Sequence, residues 1–182
     1  LESMGHAEAG LRLLAGVWTR CTERSLLGPA LTLGPSLVRR LAAAPGVAGV
    51  RPEEVAVTMA YLAAENPRLD RAAAGAALCR SIATENPALG MEALERMAAS
   101  PRVLERSWAQ EDVALLLARL GHTTTARRVW AEAVSGYESL GAGRRIRQAT
   151  GRLRALGVRG RPSPVSGRRP AFGWSALTPA EL

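Results

Sequence analysis

The chain has 182 residues, 47% of them apolar and 4% aromatic, with 24 basic against 16 acidic side chains and a formal charge of +8. That apolar share supports a buried core and excludes wholesale disorder, and no run of about 18 apolar residues exists to span a membrane. Every basic residue is Arg, so chemistries that need a lysine (the P-loop, Schiff-base catalysis, protein-kinase phosphotransfer) have nothing to carry them.

The first residues, Leu1-Glu2-Ser3-Met4-Gly5-His6, show no basic start followed by an apolar stretch, so secretion is not expected. Two or three helices are expected in residues 1–50, with Gly28-Pro29 and Gly34-Pro35 as breaks and Ala44-Pro45-Gly46 as a turn. Ala (34) and Leu (25) far outnumber Val (12) and Ile (2), which favours helix over sheet throughout.

From about Arg51 to Leu156 the spacing predicts roughly six helices. Arg51-Pro52-Glu53-Glu54 opens one without a good cap, while Asn86-Pro87 and Ser100-Pro101 open others with a cap followed by proline at the first helical position. Apolar stripes recur at helical spacing: Val55, Met59 and Leu62; Ala74, Ala77, Leu78 and Ile82; Val113, Leu116, Leu117 and Leu120. The clearest runs through Ala126, Val129, Trp130, Ala133, Val134, Tyr137 and Leu140. The last joins Ile146, Ala149, Leu153 and Leu156 on a helix whose other faces carry five Arg. Glu65-Asn66-Pro67 returns 20 residues later as Glu85-Asn86-Pro87, about one helix and a turn. Short connections should fold such helices into antiparallel pairs stacked side by side. The expected fold is therefore all-α, a repeat array of stacked antiparallel pairs over 1–156.

Charge is unevenly spread. Residues 1–140 hold 15 Arg and 15 acids, so the surplus lies beyond them in Arg144, Arg145, Arg147, Arg152, Arg154, Arg159, Arg161, Arg168 and Arg169. Such a block attracts polyanions, nucleic acid first, and its bland counterpart is a solvated basic helix before a self-repelling linker. Residues 157–175, rich in Gly, Pro, Ser and Arg, read as that flexible basic linker. Thr178-Pro179-Ala180-Glu181 then reads as the opening of another helix, with Thr178 as N-cap and Glu181 closing a capping box. A helix of one turn cannot bury Trp174, Leu177 or Leu182, so the chain is expected to be cut at the threshold of a further domain. The lack of Met at position 1 suggests a cut at the other end as well.

Two motifs carry a resemblance. Gly121-x4-Ala126-x3-Trp130-x2-Ala133 looks like the second half of a tetratricopeptide repeat, where small residues let helices approach and a large one fills the groove, with Tyr137 continuing the packed face. The Arg-rich helix, the basic linker and Leu177-Thr178-Pro179-Ala180-Glu181 together resemble the stretch before the C-terminal helix-turn-helix of large LuxR-type transcriptional regulators. In that family Leu-Thr-x-x-Glu opens the DNA-binding domain, so Leu177, Thr178, Pro179 and Glu181 are its implied first residues and 176–182 its implied start. The resemblance implies DNA as a partner through a domain not contained in 1–182, and a protein or small-molecule effector on the repeat surface. It implies no cofactor in this stretch. Many members carry a nucleotide-binding domain, which is possible elsewhere in the parent chain.

Other residues read more simply. His6 and His122 stand alone and read as surface or turn residues rather than metal ligands. Cys21 and Cys79 are too few for a disulfide framework or a zinc knuckle. Cys79 reads as a small buried hydrophobe, and a reducing cytoplasm is the simplest setting. Gly141-Ala142-Gly143 reads as a helix-ending turn rather than a dinucleotide loop. Glu53-Glu54 and Glu111-Asp112 read as first-turn acids placed by the helix dipole, and Trp108 and Trp130 as packing residues. Three functions follow from this reading: a transcription regulator without enzymatic activity, a repeat adaptor that needs no DNA, and, least supported for want of a catalytic constellation, an all-helical enzyme.

Overall fold

Residues 6–158 are described in a computed structural model, and among them eight α-helices and no strand occur. They are α1 (Ala7–Glu23), α2 (Leu27–Ala43), α3 (Pro52–Glu65), α4 (Asp70–Ala83), α5 (Pro87–Met97), α6 (Val103–Arg119), α7 (Thr123–Ser139) and α8 (Gly143–Ala155). The all-α array of packed helices is thus present, with two helices before Arg51 and six after it.

Neighbours in sequence pack as pairs, and a second pattern lies across them. The even helices also touch in series, α2 on α4, α4 on α6 and α6 on α8, while α3, α5 and α7 each bridge two of them from outside. In a flat layer α2 and α6 would sit two helix spacings apart, roughly 16–20 Å. They touch instead, so the even layer is the inside of a curve.

The helix ends show why the chain turns where it does. After α6 and α7 the chain enters the left-handed region at Gly121 (φ +82°) and Gly141 (φ +66°), a conformation that glycine adopts without a Cβ clash. There His122 N–H bonds to Leu117 O at 2.9 Å, and Ala142 N–H to Tyr137 O at 2.9 Å, which satisfies carbonyls the helix leaves orphaned. The same bond closes α8 from Val158 to Leu153, and Val158 is buried, so the packed body reaches that residue. Pro87 opens α5 with Asn86 as its cap, accepting from the Ala88 N–H at 3.0 Å. At Arg51-Pro52 the Glu54 carboxylate reaches back to the Arg51 N–H at 3.3 Å.

Four local expectations are corrected. Gly28-Pro29 and Gly34-Pro35 do not break the chain, because both lie within α2. Pro29 falls in the first turn, where a missing N–H costs nothing. Pro35 is interior and should cost about 3 kcal/mol. Burial of Leu31, Leu37, Val38 and Leu41 on the same helix, at about 1.5–3 kcal/mol each, outweighs that. Ser100-Pro101 precedes its helix by two residues, since α6 starts at Val103 and Ser100 Oγ accepts from the Arg102 N–H at 3.3 Å. Leu120 and Leu140 are exposed helix ends rather than stripe members. Finally, Glu111 and Asp112 sit in the middle of α6, not in a first turn, and are buried.

Candidate ligand groove and its charge cluster

α6 is enclosed on nearly every side. Val113, Leu116 and Leu117 fill the apolar core, and Ser107, Gln110, Glu111 and Asp112 are buried as well. A buried carboxylate is tolerated only with donors around it, and the neighbouring helices supply them. Glu111, fully buried, accepts from the Tyr137 hydroxyl of α7 at 2.6 Å and from Arg145 Nε of α8 at 2.8 Å. Arg152, also of α8, bonds to its other oxygen. Asp112 accepts two bonds from Arg39 Nη1 of α2, at 2.9 and 3.1 Å. Gln110 donates to Glu132 of α7 at 3.2 Å. One turn of α6 therefore ties together α2, α7 and α8.

Burial and charge pull the ionisation of these groups apart. Burial pushes the Tyr137 hydroxyl above its ordinary range, and the Glu111 charge adds to it, so Tyr137 stays a donor. Burial works to lower Arg145, but its bonds to Glu111 and Tyr137 outweigh it and the net shift is upward. Arg40 is lowered, first by burial and then by repulsion from Arg145 and Arg152, with Asp112 opposing. Asp112 is raised because burial exceeds the pull of Arg39.

With a folded value above the ordinary 3.8, the native state holds the Asp112 proton over a window where the unfolded chain has lost it. The group's contribution to stability is full below the ordinary value and is lost as pH rises through the window. Asp112→Asn should thus gain in urea midpoint relative to the parent chain as pH climbs from about 4 towards neutrality. A widening deficit of the variant would mean that the Arg39 pair dominates burial.

Beside this cluster a groove of about 340 Å³ opens between α2, α6 and α8, with Ile82 of α4 also lining it. Arg39, Arg119 and Arg152 line it with Asp112, and its walls are Ala42, Ala43, Leu115, Ala155 and Leu156. A second cleft of about 500 Å³ lies where α4, α5 and α6 begin or end, bordered by Arg68, Arg71, Arg96, Arg102 and Arg106. There Arg71 is bonded to Glu105 at 2.8 Å and to Thr32 Oγ1 at 2.6 Å.

Ala126, Trp130, Ala133 and Tyr137 are buried between α7 and α6, with the Trp130 and Tyr137 rings 6.3 Å apart and tilted by 57°. Gly121 makes the α6–α7 turn. Gly136, not singled out, packs closely on α6, since a Cβ there would lie 2.1 Å from Ser107 Oγ. Of the α8 arginines, Arg144, Arg147 and Arg154 are exposed and hold no ion pair among the described residues, whereas Arg145 and Arg152 are held by Glu111. Arg159, Arg161, Arg168, Arg169, Leu177, Thr178, Pro179 and Glu181 lie outside the described residues, as do the linker from Arg159 onward and the start of the helix-turn-helix.

His6 and His122 are exposed at the starts of α1 and α7. Cys79 is buried, and burial pushes its thiol far above the usual range, so it is a poor nucleophile. Among the described residues no three His, Cys, Asp or Glu side chains gather at metal-ligand spacing, and no helix is long and apolar enough to cross a membrane. No protein-family model, curated protein or solved structure matches this chain.

Proposed function

We propose that the chain is the helical-repeat and linker portion of a LuxR-type transcription regulator, in which the inner face of the repeats takes an effector and passes its occupancy to a DNA-binding domain beyond α8. One observation carries this reading: a packed repeat body, a basic run and Leu177-Thr178-Pro179-Ala180-Glu181 follow one another in the order in which such regulators arrange them. The charge cluster supports the coupling. α8, the helix leading to the basic run, is held on α6 by Glu111, and Arg152 also stands in the groove. An effector that draws on Arg152 therefore acts on the element that precedes the DNA-binding segment.

Selection of sheared genomic DNA by the complete protein tests the proposal. Enrichment of one discrete sequence is the expected result, and recovery no different from the input overturns it. The adaptor reading rests on the groove itself, an interaction surface that has no need of DNA.

A separate expectation concerns residues 1–182 alone. With Arg145 and Arg152 engaged by Glu111, the C-terminal basic run is expected to act through phosphate contacts, Arg144, Arg147 and Arg154 being exposed on α8, and phosphate contacts carry no sequence information, so binding should ignore sequence. About four to six contacts made at once would weaken binding by roughly two to three orders of magnitude between 50 and 200 mM salt. Sequence-selective binding by 1–182 would contradict this.

A further inference from the structure

We infer that the groove between α2, α6 and α8 is a site for a small organic anion, a carboxylate or phosphate monoester on an apolar body, whose anionic group is taken by Arg119 and Arg152. The inference rests on the reading of this face as the effector surface and names the chemistry it would accept.

Charge gives the first argument. Three guanidinium groups line the groove against one carboxylate, and that carboxylate, Asp112, already accepts two bonds from Arg39. Arg119 is paired with Glu85, whose oxygen is 3.9 Å away, at the outer limit of an ion pair. Arg152 has Glu111 behind it and keeps 45% of its side chain exposed. Both can turn donors toward the groove, and a guanidinium presents a planar fork that matches carboxylate and phosphate oxygens.

The walls give the second argument. Ala42, Ala43, Ile82, Leu115 and Leu156 offer an apolar lining and no aromatic ring on which a base could stack. A hydrocarbon body would displace water there, and the low-dielectric wall would strengthen the ionic contact beside it. A volume of about 340 Å³ lies in the range of small-molecule sites. The position of Arg152 then makes the site consequential. An anion in the groove shares this side chain with Glu111, so occupancy alters the hold of α6 on α8.

Calorimetric titration of the chain with octanoate, octyl phosphate and 1-octanol tests the site. The expected result is one anion per chain, with the neutral alcohol bound at least about tenfold more weakly. Binding of either anion supports the site, and the tighter of the two identifies the headgroup. Arg119→Gln and Arg152→Gln should each weaken anion binding roughly tenfold or more, and Ala43→Trp should abolish it by filling the groove. Arg127→Gln, exposed on α7 and remote from the groove, should leave it unchanged. If Arg152→Gln loses its fold through Glu111, Arg119→Gln still decides the matter, since its ion pair is long and the residue is partly exposed. Equal binding of alcohol and anion, no binding at millimolar concentration, or a folded Arg119→Gln with parental affinity overturns the inference. The titration needs no DNA, so its failure leaves the regulator reading to its own test, and a failed DNA selection leaves the titration result standing.

Discussion

Glu111→Leu should destabilise the chain by roughly 3–5 kcal/mol, the usual cost of removing one partner from a buried ionic network. The loss of the carboxylate is the smaller part of this. Arg145, Arg152 and the Tyr137 hydroxyl would each lose their acceptor, and Tyr137, fully buried, has no solvent to fall back on. The contrast that identifies the cause is a combined variant, Glu111→Leu with Arg145→Met, Arg152→Met and Tyr137→Phe. Replacing every member of a buried ionic group with apolar residues is often neutral, so this variant should recover most of the loss. Urea unfolding followed by far-ultraviolet dichroism measures both. A loss under about 1 kcal/mol for Glu111→Leu would show that water reaches the cluster and that Glu111 does not hold α8 in place.

Trp130→Ala should cost a similar amount, about 3–5 kcal/mol, for a different reason. Trp130 is 2% exposed, fills the space between α7 and α6, and leans on the ring of Tyr137. Truncation removes its apolar burial and leaves a cavity whose walls, Ala126 and Ala133 on the same helix, are too short to close it. Against a typical total stability of 5–15 kcal/mol, the α6–α7 pair would be the first part to lose order. Unchanged thermal stability would mean that the register of α7 on α6 differs from the one described. Because Glu111 lies on the same interface and bonds to Tyr137, the two variants should not be additive.

The contrast between these two sites shows which features are legible in the sequence. α7 could be read directly, since a helix buried on one face repeats its apolar residues every three or four positions, and Ala126, Val129, Trp130, Ala133, Val134 and Tyr137 are all buried. The Glu111 cluster could not. Two adjacent acids look like a solvated first turn when the helix start is misjudged, and α6 begins at Val103, eight residues earlier. Their partners lie 26, 34 and 41 residues away for Glu111 and 73 for Asp112, and no local pattern encodes such distances. The basic residues of α8 were visible as a charge block, but not that two of them bond to Glu111. Gly34-Pro35 failed for the opposite reason: a strong local rule was outvoted by the packing of α2. A signal for the cluster did exist in retrospect, because acids at two consecutive positions of one buried helix require cations on more than one neighbour.

The curved inner face, the groove and the hold of Glu111 on α8 follow from the packing, and the step from them to gene regulation rests on DNA recognition by the complete protein. The affinity of that protein for the duplex enriched from genomic DNA, compared with a scrambled duplex of the same composition near physiological salt, tests this step most directly. A preference of roughly a thousandfold or more for the enriched sequence is expected. Equal affinity for the two duplexes, or none for either, would contradict it.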